Sequence, residues 1–190
     1  KPSSAASDVY KRQALKKALR KDTLMVSIMC VNNEIGAIEP VEEIGKIVKS
    51  FDPKILFHTD CIQAYGKLNC YPKKWKADMI SVSGHKIHGP KGIGFIYIKN
   101  GTKIKPIIWG GNQQKGMRSG TENVPGIAGL GKAAELIYEN HEEKIAHIRE
   151  IKDHFIKRVM EEIPDVKDNS GDAPHVASIS FLGVRSEVLL

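Results

Sequence analysis

The stretch SVSGHKIHGPKGIGFIYI, residues 81–98, puts Lys86 in a turn directly after an apolar run, with Gly84 and Gly89 on either side. Glycines there let backbone and ligand approach closely. A primary amine becomes a nucleophile once deprotonated, and desolvation or neighbouring positive charge drives it toward that state. A lysine so placed could form a Schiff base. Upstream, Asp60 closes another apolar run in FHTDCIQ. Pyridoxal phosphate (PLP) needs a carboxylate against its ring nitrogen, because the protonated ring is an electron sink for a carbanion. An aspartate and a lysine at two strand ends could meet across one such cofactor. Taken alone, the same residues also fit a solvated lysine and a helix-capping aspartate.

Other chemistries fit less well. Gly84 and Gly89 share the glycine frame of a phosphate-binding loop, but Pro90 and Lys91 follow where Gly-Lys-Ser/Thr is required, and a strand pattern comes next instead of a helix. His85 and His88 are an isolated pair in a loop, so no metal site is expected. Cys30, Cys61 and Cys70 form no CxxC pair and indicate neither a disulfide framework nor a zinc knuckle. Strand alternation that turns Asp60 inward sends Cys61 to the opposite face, into packing.

The elements that must position these residues alternate between strand and helix. Residues 14–20 read as the last turns of a helix, and TLMVSIMC (23–30) as a parallel strand buried on both faces. Pro40 opens a helix to about Ser50, with Glu42 and Glu43 in its first turn. Strands follow in KILFHTD from Lys54, ADMISVS from Ala77 and GIGFIYIK over 92–99. This order predicts an α/β fold with a mostly parallel sheet, whose ligands gather at the carboxyl ends of the strands. Those ends carry VNNE (31–34), HTD (58–60) and SGHK (83–86). A long helical region begins near Gly126, with Ile148, Ile151, Phe155 and Val159 on one expected buried face, and Pro164 ends it. HVASISFLG then reads as the first strand of a second unit.

A net charge of +7 permits nucleic-acid binding, but the basic residues are scattered and interspersed with acidic ones, so no nucleic-acid partner is expected. No apolar run is long enough for a membrane helix. Hydrophobic content of 41% with 27% charged residues fits a soluble globular chain and excludes disorder. Three unpaired cysteines suggest a reducing cytoplasm. Residues 1–13 read as a non-native tail, and the apolar run through Val188, Leu189 and Leu190 stops in mid-element, so more chain is expected beyond it.

Four ordered blocks, VSIMCVNNEIGAIEP, FHTDCIQAYGKL, ISVSGHKIHGPKGIGFIYIK and GMRSGTENVPGIAG, closely resemble the cysteine desulfurases. These belong to the class V aminotransferase group of fold-type I PLP enzymes. The resemblance implies a mostly parallel central sheet with flanking helices over residues 14–138, then the start of a smaller α+β C-terminal domain over 139–190. It makes Lys86 the Schiff-base lysine that also moves protons at the substrate's alpha carbon. Asp60 becomes the partner of the ring nitrogen, Gln63 that of the ring hydroxyl, and Asn33 a further cofactor contact. Ser83 and His85 match a phosphate-binding pair. Thr121 matches a residue reaching the phosphate of the other subunit, which implies a homodimer.

The implied reaction takes L-cysteine to L-alanine and passes sulfur, as a persulfide, to an enzyme cysteine and then to an acceptor or iron–sulfur scaffold protein. In the family that cysteine lies in a Ser- and Gly-rich loop beyond the equivalent of Leu190. None of Cys30, Cys61 and Cys70 matches it. The family's stacking histidine, a further phosphate-binding residue and the arginine for the substrate carboxylate are also missing, so this stretch alone is expected to be inactive. A selenocysteine lyase, an aminotransferase and a non-catalytic fragment are the alternatives, and GMRSGTENVPG favours the desulfurases.

Overall fold

The computed structural model describes residues 12–189. All but the last two residues of the expected tail, 1–13, therefore lie outside it, and those two begin a helical segment at 12–18. Strand β1 (Met25–Met29), helix α1 (Val41–Phe51) and strands β2 (Leu56–Asp60), β3 (Met79–Ser83) and β4 (Gly94–Ile98) follow. They form one sheet in the order β1-β2-β3-β4. The first three strands are parallel, with Met29 opposite Asp60 and Asp60 opposite Ser81. β4 returns antiparallel to β3, with Gly94 opposite Ser83.

The two faces of the sheet differ chemically. Val41, Ile44 and Val48 of α1 pack with Phe57, Ile80, Val82 and Trp75 into the main core. Side chains of this size each contribute roughly 1.5–3 kcal/mol when fully buried. Helix α1 and the turn that precedes β3 approach closely because residue 45 is glycine: a Cβ there would stand 1.9 Å from the Trp75 carbonyl oxygen. The opposite face carries a polar row across its middle. Ser27 Oγ lies 2.7 Å from His58 Nδ1, and His58 Nε2 lies 3.1 Å from Ser81 Oγ, a ladder across three strands. Period-two alternation places Asp60 and Ser83 on this same face, one step further toward the carboxyl ends.

Asp78 fastens α1 to the sheet. It is 5% exposed, accepts from Phe57 N–H at 2.8 Å and pairs with Lys49 Nζ. Lys49 also donates to the Ile55 carbonyl at 2.6 Å. Asp78→Ala removes the counter-charge of the part-buried Lys49, which keeps only backbone carbonyls, and leaves the buried Phe57 N–H without its acceptor, and should lower the unfolding free energy by about 3 kcal/mol in urea titration. A loss under about 1 kcal/mol would contradict this account.

Four sequence expectations need correction. β1 is an edge strand with Met25 and Met29 exposed, so it is covered on one face and not on two. The helical region divides into α2 (Val124–Tyr138) and α3 (His141–Glu162), because Asn140 adopts a left-handed conformation at φ 50°. On α3, Ile151 and Phe155 are exposed, while Val159 and Lys152 are buried. Lys152 faces inward because a loop beyond α3 offers its ammonium two carbonyls, at Gly171 (2.6 Å) and Ala173 (2.7 Å). HVASISFLG does contain a strand, β6 (Ile179–Phe181), but it is the second of an antiparallel pair with β5 (Val166–Asp168). A short helix, α4 (Ser186–Leu189), follows.

Candidate functional site

Six of the seven candidate residues gather at the carboxyl edge of the three parallel strands. Asn33 lies in the turn after β1, Asp60 ends β2, Gln63 follows it, and Ser83 ends β3. A single 3₁₀ turn, Gly84–Ile87, then carries His85 and Lys86. The turn is fixed at both ends. Ile87 is 1% exposed and packs with Leu130 and Ala133 of α2, while His88 adopts φ 63° and Gly89 N–H returns to the Gly84 carbonyl at 2.9 Å. Lys86 and His85 project outward from this anchored turn and are exposed.

Asp60 has two capacities. Its Oδ1 accepts from Ile62 N–H at 2.8 Å, which shapes the turn after β2; no helix begins there, so the residue caps a turn and not a helix. One oxygen engaged in this way leaves the other for a ligand. Cys61, its neighbour, is fully buried as alternation required. The thiols of Cys30 and then Cys70 beside it, together with burial, push the Cys61 thiol up, so it stays protonated and inert.

Two residues at this edge were not singled out in the sequence. Lys67 donates from Nζ to the Lys86 carbonyl, and burial first, then the charge of Lys86, lowers its pKa. His175 reaches in from beyond α3 and places Nε2 3.2 Å from Gln63 Oε1. Its segment is strapped down: Gly171 N–H bonds the Ile35 carbonyl at 2.6 Å, and Ala173 N–H the Gly36 carbonyl at 2.9 Å. The same strap thereby braces the turn that holds Asn33. Lys67 could have been noticed from its place in FHTDCIQAYGKL; His175 gave no signal in its own neighbourhood.

Thr121 is set apart. It is exposed just ahead of α2, and its side chain makes no hydrogen bond among the described residues.

The residues present fit PLP by their chemistry. There is an amine on a rigid turn, a carboxylate with an oxygen to spare, an amide, and a hydroxyl beside an imidazole. The Ser83 hydroxyl makes no capping bond to its own turn, and His175 Nδ1 is buried without a partner among the described residues. Such a polar, incompletely satisfied edge is what a ligand site leaves when viewed from the protein alone. No cluster of metal-ligating side chains occurs among the described residues.

Comparison with known proteins agrees with this geometry. The family model for aminotransferase class-V matches residues 3–190. A cysteine desulfurase IscS from Dictyoglomus turgidum is 47% identical over 179 residues, covering 93% of this chain and 45% of that protein. The chain thus spans about half the length of the curated relatives it matches. Among solved structures, a NifS-like protein superposes with a TM-score of 0.89 at 38% identity, over 94% of this chain and 49% of that one. A structure titled as SspA in complex with cysteine does so with a TM-score of 0.74 at 34% identity, over 90% and 47%. The mixed, mostly parallel sheet with flanking helices is the fold-type I architecture of these neighbours, as the resemblance implied. The chain belongs to the aminotransferase class-V family.

Proposed function

We propose that this chain is the cofactor-holding part of a PLP-dependent cysteine desulfurase, which converts L-cysteine to L-alanine and hands the sulfur to an enzyme cysteine as a persulfide. The observation that carries the reading is the placing of Lys86 and Asp60 on one sheet edge, in a chain similar to proteins named cysteine desulfurase. Bound PLP would supply an electron-withdrawing ring that stabilises negative charge at the substrate's alpha carbon. Asp60 would keep the ring nitrogen protonated. Lys86 would tether the cofactor through its amine and, once displaced by the substrate amine, carry the proton from the alpha carbon. Ser83 and His85 would hold the phosphate, with Gln63 on the ring hydroxyl and Asn33 as a further contact. Cys30 and Cys61 are too deeply buried to take the sulfur.

The reading extends to partners. Ile107, Trp109 and Val124 are exposed at 90%, 76% and 66% on the segments flanking Thr121. Apolar surface of this kind suits a protein interface. A second copy of the chain is the occupant we assign, with Thr121 serving the partner's phosphate site. The sulfur then passes to an acceptor or iron–sulfur scaffold protein. Three free cysteines agree with a cytoplasmic setting.

The test uses the longer protein expected to carry this chain, since this stretch alone is expected to be inactive; it loads that protein with PLP, adds L-cysteine and a thiol reductant, and measures alanine and sulfide. Equal amounts of both are expected, and sedimentation of the same sample should report two chains. A bound cofactor with no alanine formed would remove the desulfurase assignment and leave the cofactor site standing. A monomer that forms alanine would remove only the shared site.

A further inference from the structure

Of the two amides in the candidate site, Gln63 is held by a residue 112 positions away in the chain. His175 Nε2 lies 3.2 Å from Gln63 Oε1. An amide oxygen only accepts, so Nε2 carries the proton. Burial first, then the charges of Lys67, Lys152 and Lys86, pushes the His175 pKa down to about 4. The ring is therefore neutral near pH 7, with one proton, and that proton is committed to Gln63. An amide whose oxygen is engaged on one side turns its NH2 group to the other, so Gln63 is left as a hydrogen-bond donor. The His175 backbone has no freedom to withdraw. Lys152 binds the carbonyls of Gly171 and Ala173, and the same strap bonds Ile35 and Gly36. Gly36 fits beneath it because residue 36 lacks a Cβ, which would meet the Val176 Cβ at 2.8 Å.

We propose that His175 is a positioning residue that locks the Gln63 amide with its NH2 group presented to the cofactor's ring oxygen. The assignment rests on the PLP reading above and goes beyond it by placing a residue from beyond α3 in control of a cofactor contact. Fixing one orientation removes a choice between two amide rotamers, and the bond to a charged ring oxygen gains accordingly.

The experiment measures PLP affinity and the position of the cofactor's visible band in the wild type, H175Q, H175M, Q63A and Q63A/H175M. Glutamine can put an amide N–H where Nε2 stands; methionine fills similar space without a donor. H175Q should keep wild-type affinity within about twofold. H175M should weaken PLP by about five- to tenfold and shift the band in the same direction as Q63A. In the Q63A background H175M should add nothing, as expected for two residues acting through one contact. Additive losses, or an H175M band identical to that of the wild type, overturn the assignment. Circular dichroism checks folding, and H175A replaces H175M if the latter does not fold. A wild-type protein with no band overturns the cofactor reading and this assignment with it; a wild-type band with additive losses overturns this assignment alone.

Discussion

In the longer protein expected to carry this chain, Lys86→Ala should abolish the visible band of a lysine-bound cofactor on mixing with PLP, and alanine formation from L-cysteine should fall by more than about a thousandfold. Two roles are lost in one substitution: the covalent tether and the base at the alpha carbon. The fold should not suffer. Lys86 is exposed, and the turn that carries it is anchored by Ile87 in the α2 contact and by the Gly89 to Gly84 hydrogen bond. An exposed substitution away from such anchors changes stability by less than about 0.5 kcal/mol. Lys67 lies beside the same turn but donates to the Lys86 backbone carbonyl, so it is already committed and should not rescue the variant. A surviving band, or activity within about a hundredfold of the wild type, would mean that the amine that matters lies elsewhere.

Asp60→Asn should cost on the order of a hundred- to a thousandfold in kcat, a typical consequence of deleting one preorganised electrostatic contact. Asparagine is the informative replacement because its Oδ1 can still accept from Ile62 N–H, the bond that shapes the turn after β2. The charge goes while the cap stays. The thermal melt should therefore match the wild type, and the loss should appear in kcat more than in PLP binding, since a neutral amide no longer holds the ring nitrogen protonated. If D60N melts early and loses activity only in proportion, the residue is a turn cap and nothing more. Lys86 and Asp60 then divide cleanly between a variant that cannot hold cofactor covalently and one that holds it without its electron sink.

The main sheet was legible because its signals are local. Apolar runs bounded by polar clusters located β1 to β4 to within a few residues, and the carboxyl-edge rule pointed to the turns where Asn33, Asp60, Ser83 and Lys86 stand. β5 escaped because three residues, Val-Lys-Asp, cannot display a period of two. The face of α3 was misjudged for a different reason. Lysine is read as solvent-facing by default, yet Lys152 is inward because two carbonyls, supplied by residues some twenty positions later, solvate its ammonium. Ile151 and Phe155 have no such neighbours among the described residues. His175 could not be found by spacing at all, since its only link to Gln63 is made in three dimensions. The four sequence blocks supplied what patterning could not, namely an expected role for each of the six candidates at the edge.

The strap over residues 171–176 also gives the site a place in time. Contacts between near neighbours in sequence form before those that must close long loops, because each long closure is opposed by chain entropy. β1, β2 and β3 can pair, with α1 laid across them, well before residue 175 finds residue 63, 112 positions away. Local-first pairing therefore predicts that the sheet and its lysine form before the Gln63 amide is oriented. On that order, the orientation of the amide is set by a late contact with the segment beyond α3.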